Sequence, residues 1–214
     1  MKILLIMTIK KGEKMNKQVY ISADYDNNGD RDVVDLLNEW GEDNLHALNF
    51  IDMSKVVSGS VSKDPDCRPC DLKKEFNRQI NASSAVIFIV GDKTAYRTAG
   101  SNCPKAAGNY LNLCTPYKQN TNGHRYCNNS SINYWQNPDV YEVNNYSYLR
   151  HEFEQAKKRN KKIVIVYNST RNEYEWLPNY MKDYGKYAFP FWIYDANCNK
   201  VGNYQKIKET LVHE

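Results

Sequence analysis

Long hydrophobic runs are missing from this chain. No stretch approaches the roughly 20 apolar residues that a membrane-spanning helix requires, so a soluble protein with no membrane partner is expected. A dominant charge is missing too: 29 Lys and Arg face 25 Asp and Glu, for a net charge of +4, and the basic residues are scattered along the sequence. That distribution argues against a nucleic-acid partner, whose phosphate backbone calls for a basic patch. Cysteine is scarce, at six in 214 residues. This is too sparse for a small secreted scaffold stapled by disulfides, and a chain of this length can stabilise itself without them, so reduced thiols in a cytoplasm are expected. A secretory signal is not recognisable, because the apolar stretch from Ile3 to Ile9 sits at the lower limit for a signal core and no small-residue cleavage pattern follows it. Codons for Lys11-Gly12-Glu13-Lys14 can spell a purine-rich ribosome-binding sequence directly before Met15. Residues 1–14 are therefore expected to be an upstream extension and residues 15–214 the protein proper.

What is present is 41% apolar residues, enough for a core, together with 17 tyrosines and a mean hydropathy of −0.76. The size suits one domain carrying an insertion. Gln18 to Ser22 reads as a strand, and Val33, Leu36, Leu37 and Trp40 recur at helical spacing after it. His46 to Ile51 reads as a second strand, and Leu72, Phe76 and Ile80 mark a second helix. Ala85 to Val90 is six continuous apolar residues, the pattern of a strand buried on both faces of a parallel sheet. Residues 93–146 are rich in Asn, Tyr, Gly, Cys and Pro without a sustained period and read as the insertion. Regularity returns with Leu149, Phe153 and Ala156 on one helical face, a strand from Ile163 to Tyr167, and a helix marked by Leu177, Tyr180, Met181 and Tyr184. A last strand from Phe191 to Tyr194 and a helix through Tyr204, Ile207 and Leu211 close the chain. Five strands alternating with five helices predict an α/β fold: a five-stranded parallel sheet with helices on both faces.

Ligands of such sheets bind beyond the C-terminal ends of the strands, where strand order reverses. Strand one ends in Ser22-Ala23-Asp24-Tyr25-Asp26, strand two in Asp52-Met53-Ser54, and strand three in Gly91-Asp92-Lys93-Thr94. The plain alternative for each is a helix cap. Glu152 stands apart because it falls on the inward stripe of its own helix, three residues after Leu149 and four before Ala156, while Glu154 faces water. A buried carboxylate is costly unless paired or functional. The pairing alternative is a salt bridge to a nearby Arg or Lys, such as Arg150 or His151 from the same turn.

Other motifs compete. Asp24, Asp26, Asn28, Gly29 and Asp35 approach the spacing of a calcium loop, but a strand precedes them and Arg31 takes a normally apolar position. Cys67-Arg68-Pro69-Cys70 with His124 and Cys127 would complete a zinc set or a disulfide knot, at unspecific spacing. No metal site is assigned. Asp24, Asp26 and Asp92 also suit a phosphoacceptor receiver, yet the last strand offers no lysine at its end.

Val19-Tyr20-Ile21-Ser22, Ser84 to Gly91 and, most specifically, Tyr148-Leu149-Arg150-His151-Glu152-Phe153 together make the chain resemble a TIR domain, in particular the TIR-like family of Thoeris antiphage systems. The resemblance covers the βα units from Val19 to the C-terminus. Catalytic TIR domains place a glutamate four residues after a tryptophan; Glu152 takes the glutamate position and Tyr148 replaces the tryptophan as an aromatic wall. The resemblance implies a flavodoxin-like TIR fold and cleavage of the nicotinamide N-glycosidic bond of NAD+, by hydrolysis or by cyclisation to a cyclic ADP-ribose-type signal in antiviral defence. NAD+ is then a substrate and no cofactor is implied. Glu152 would stabilise the ribosyl cation and bind the ribose, its ionised form favoured by the helix dipole. Ser22, Ala23, Asp24 and Tyr25 would line the pocket floor, with Asp52 opening the loop to Ser62 that forms its mobile side and a self-association surface. A downstream effector would sense the product. The competing expectation is a non-catalytic TIR scaffold or nucleotide-binding signalling module.

Overall fold

The computed structural model describes residues 17–24, 30–42, 48–52, 68–98, 118–119, 125–126 and 147–212. Its centre is β3, Ala85–Val90, in which all six residues are buried. On one side β3 pairs in parallel with β1, Lys17–Ser22, which pairs in turn with β2, Leu48–Asp52. Two short antiparallel segments, β4 (Lys118–Gln119) and β5 (Arg125–Tyr126), fall within the expected insertion. Beyond β3 lies β6, Lys162–Tyr167, in a six-residue parallel register from Ala85 opposite Lys162 to Val90 opposite Tyr167.

Among the described residues, four strands of five or six residues therefore make the body of the parallel sheet, where five were expected. The fifth member is only a two-residue edge, β7 (Phe189–Pro190), placed outside β6. The last strand expected at Phe191 to Tyr194 is instead β8, Trp192–Tyr194, paired antiparallel with β9, Lys200–Gly202. The cause is the turn between them. Asp195 Oδ1 accepts from the backbone N–H groups of Asn197 and Asn199, both at 2.8 Å, and Cys198 takes φ 61°, so the chain folds back on itself.

Side-chain alternation sends the two faces of the sheet to two cores. Val19, Ile21, Ile87, Ile89, Val164 and Val166 pack against α1 (Asp30–Glu42), through Val33, Leu37 and Trp40, and against the last helix through Ile207 and Leu211. Tyr20, Val86, Phe88, Val90, Ile165 and Tyr167 point the other way, onto α2 (Arg68–Ala82) and α3 (Tyr148–Lys158). The expected helix at Leu177 to Tyr184 is a 3-10 helix, Asn179–Tyr187, with Met181 fully buried in this second core. The chain ends in α4, Tyr204–Val212. Among the described residues no helix is long and apolar enough to cross a membrane.

Strand order β2-β1-β3-β6-β7 has a consequence for ligands. From β1 the chain moves outward to β2 and then crosses to the other side of β1 as β3, so the order reverses between the C-terminal ends of β1 and β3. A crevice forms at such a point because the two connections leave in opposite directions. This mixed α/β arrangement is compatible with a flavodoxin-like fold.

Candidate functional site

Ser22 ends β1 at that reversal, and its parity matches Tyr20, so its side chain turns toward α3. It is fully buried. Helix α3 begins at Ser147, whose Oγ caps it by accepting from the backbone N–H of Arg150 at 3.0 Å. One turn in, Glu152 shares the buried face with Leu149, Phe153 and Ala156 and is only 4% exposed. The helix ends at Lys158, and two residues on Asn160, with a φ of 50°, lets the Lys161 N–H return to the Ala156 carbonyl at 2.9 Å.

The sheet and α3 thus bring Ser22, Asp24 and Glu152 into one corner. Burial pushes the Glu152 carboxyl up to about 8, and the negative charge of Asp24 adds to the rise. The hydroxyls of Ser22 and Tyr20 oppose it by favouring the ionised form. Neither Glu152 Oε2 nor Ser22 Oγ closes a hydrogen bond of ordinary geometry among the described residues, although both atoms are buried. The helix dipole favours the ionised form, as expected of its position, but burial outweighs it. A dipole at a helix start contributes about 0.3–1 kcal/mol, whereas desolvating a carboxylate costs several, so the resting group holds its proton at pH 7.

Two neighbouring side chains named in the pairing alternative have other contacts. His151 turns away from Glu152, its Nε2 lying 3.0 Å from Asn77 Oδ1 on α2. Arg150 instead lies over the face of Tyr180, its guanidinium 5.6 Å from the ring centroid. Tyr180 was legible in the sequence only as one apolar position of a helix. It packs on the adjoining side of α3, within electrostatic reach of Asp24 and Glu152: its hydroxyl is 3.5 Å from Ser147 Oγ, and its ring packs against Phe153 at 5.7 Å. Burial holds the phenol above its usual range; Ser147 and Arg150 lower it, while Asp24 and Glu152 raise it further.

The remaining expected residues are distributed as follows. Tyr148 lies one turn before Glu152, half-buried, its ring edge-on to Phe76 of α2 at 5.5 Å. Ala23 packs against the core on the α1 side, opposite to Glu152, so its side chain does not join Ser22 in the corner. Asp52 is the last residue of β2, opposite Ile21 in the ladder. Tyr25 and Asp26, residues 53–62, Cys67, His124 and Cys127 lie outside the described residues. Among the described residues no group of three His, Cys, Asp or Glu could hold a metal.

A second polar assembly braces the same rim from the α1 side. Asp30, 3% exposed, accepts from Asn168 Nδ2 at 3.0 Å, and Asn168 Oδ1 accepts from Trp192 Nε1 at 3.0 Å. A methyl group on Gly91 would meet Asp30 Oδ1 at 2.9 Å, so glycine is what lets the end of β3 approach that carboxyl. Two surface grooves lie apart from Glu152. One of about 670 Å³ runs between α1 and the β8–β9 hairpin, past Asp35, Trp40 and Trp192. The other, about 470 Å³, is flanked by Tyr96, Tyr174 and Lys182.

No protein-family model matches the chain, and no curated protein sequence matches it significantly.

Proposed function

We propose that the protein is a TIR-type enzyme that cleaves the nicotinamide N-glycosidic bond of NAD+ at Glu152, within a flavodoxin-like TIR fold. The observation that carries this reading is Glu152 itself: a buried carboxyl, one of whose oxygens closes no hydrogen bond of ordinary geometry among the described residues, set beside Ser22 and Asp24 where strand order reverses. A fold tolerates such a group at a cost, and a cationic ligand repays it by drawing out the negative charge.

The chemistry follows from the bond. Nicotinamide in NAD+ is already cationic, so the C1′–N bond breaks with its electron pair going to the ring nitrogen and without prior protonation. Positive charge then develops on C1′ and the ribose ring oxygen. An ionised Glu152 facing that charge lowers the barrier. In the resting protein the proton is on Glu152 at pH 7; the positive charge of the nicotinamide ring of bound NAD+ favours its release, so binding and ionisation are coupled. Water attacking C1′ yields ADP-ribose and a proton, whereas attack by a nucleophile of the same substrate closes a cyclic product. Self-association, a cytoplasmic location and a product-sensing effector in antiviral defence belong to the same reading.

A second reading has one observation in its favour. A neutral, buried Glu152 suits a non-catalytic TIR scaffold, in which the protonated carboxyl is only a core polar group. Incubating the protein with NAD+ and following nicotinamide release separates the two, because only the enzyme releases nicotinamide in proportion to protein and loses that release on Glu152→Gln.

A further inference from the structure

A sugar hydroxyl held in a closed corner needs both an acceptor for its proton and a donor for its oxygen. Glu152 and Asp24 supply acceptors once ionised. The 3-10 helix supplies the other half. Three residues per turn put Met181 and Tyr184 on one inward ridge, and Tyr180, beside it, leans onto α3. There its ring meets Phe153 at 5.7 Å and the Arg150 guanidinium at 5.6 Å, two residues that with Ser147 line one side of the helix. Its hydroxyl stands 3.5 Å from Ser147 Oγ, at the outer limit of a hydrogen bond, and that oxygen already accepts from the Arg150 N–H. The ring is fixed on its faces while the O–H remains loosely held, in the electrostatic reach of both Asp24 and Glu152. The phenol stays neutral across the physiological range, so its proton is available to donate.

We infer that Tyr180 is a substrate-orienting residue of the Glu152 site, its hydroxyl donating to a hydroxyl of the nicotinamide ribose while the carboxyl pair accepts from that sugar. The inference rests on the NAD+ reading and adds to it a residue from a different element and the part of the substrate it recognises. Tyr180→Phe removes one oxygen and keeps the ring contacts. Tyr184, whose ring also packs edge-on to Phe153 at 5.3 Å, is the matched control.

The experiment compares nicotinamide release by the parent, Tyr180→Phe and Tyr184→Phe on NAD+ and on NAD+ analogues lacking the 2′- or 3′-hydroxyl of the nicotinamide ribose. The expected result is a KM for NAD+ raised about tenfold in Tyr180→Phe, the loss typical of one hydrogen bond, with Tyr184→Phe near the parent. One deoxy analogue should cost the parent a similar factor and cost Tyr180→Phe little more, because the partner is already gone. A merely structural tyrosine would not produce that convergence. An active parent that uses both deoxy analogues as well as NAD+ overturns the inference whether or not the variant folds, and leaves the Glu152 reading standing. So does a folded Tyr180→Phe with the parent's KM. A parent that binds NAD+ without cleaving it removes the catalytic reading alone, and the same comparison read as Kd decides Tyr180. A parent that neither binds nor cleaves NAD+ overturns both.

Discussion

Asp24 and Glu152 place two carboxyl groups in one corner, one two residues past the end of β1 and one in the second turn of α3, and the charge of the first raises the proton affinity of the second. Two like charges so placed resist ionising together. Glu152, being more deeply buried, is the one that keeps the proton.

Stability should therefore fall as pH rises. The Glu152 carboxyl titrates near 4.5 in the unfolded chain and near 8 in the folded one, so between those values the folded state binds more protons than the unfolded state. Its contribution is fully present below about 4.5, declines as pH climbs toward 8, and levels off above that. Urea unfolding at pH 6 and pH 9 checks this. Glu152→Gln should flatten the Glu152 part of the decline and match or exceed the parent at pH 9, whereas the exposed Glu154→Gln should follow the parent throughout.

Asp24→Asn should lower the Glu152 midpoint by removing the neighbouring charge while leaving most of the burial that raises it. Carboxyl carbon NMR of the parent and the variant reads that midpoint directly. An unchanged midpoint would mean the two groups do not act on each other.

On the opposite face, Asn168→Ala should destabilise the fold by about 1–3 kcal/mol, the range for leaving a buried partner unsatisfied, because Asn168 joins Asp30 to Trp192. Tryptophan fluorescence during unfolding follows it. If Asn168→Ala retains the parent's unfolding midpoint, this bridge does not brace the rim.

Phe153→Ala should be the most damaging of these changes, at about 3–5 kcal/mol for loss of a fully buried aromatic. Phe153 is 0% exposed and its ring meets Phe88, Tyr180 and Tyr184. A loss below about 1 kcal/mol by urea unfolding would show that this core refills without cost.

Much of this was legible in the residues. The unbroken run Ala85 to Val90 marks a strand buried on both faces, and the spacing of Leu149, Phe153 and Ala156 turns Glu152 inward. Period alone does not give the rest. Phe191 to Tyr194 reads as a core strand, yet most of it pairs locally with Lys200–Gly202 because the Asp195 turn reverses the chain, and neither hydrophobicity nor length signals that pairing. Tyr180 and Tyr184 look alike in sequence, and only the helix type and the position of α3 set one of them against Ser147 and Arg150. The TIR resemblance puts Ala23 beside Ser22 on the pocket floor, but it packs against the other core. The sign of the Glu152 shift depends on how completely the fold removes water, which a single sequence does not record.

The most direct test of the central claim is nicotinamide release from NAD+ measured between pH 6 and 9 for the parent and Glu152→Gln. The account predicts release by the parent that rises with pH as Glu152 loses its proton, reaching a plateau at or below about 8 because the cationic nicotinamide ring favours ionisation. It also predicts a loss of roughly 100-fold to 1000-fold in Glu152→Gln, the usual cost of deleting one preorganised electrostatic group. Release by folded Glu152→Gln equal to that of the parent at every pH would contradict it.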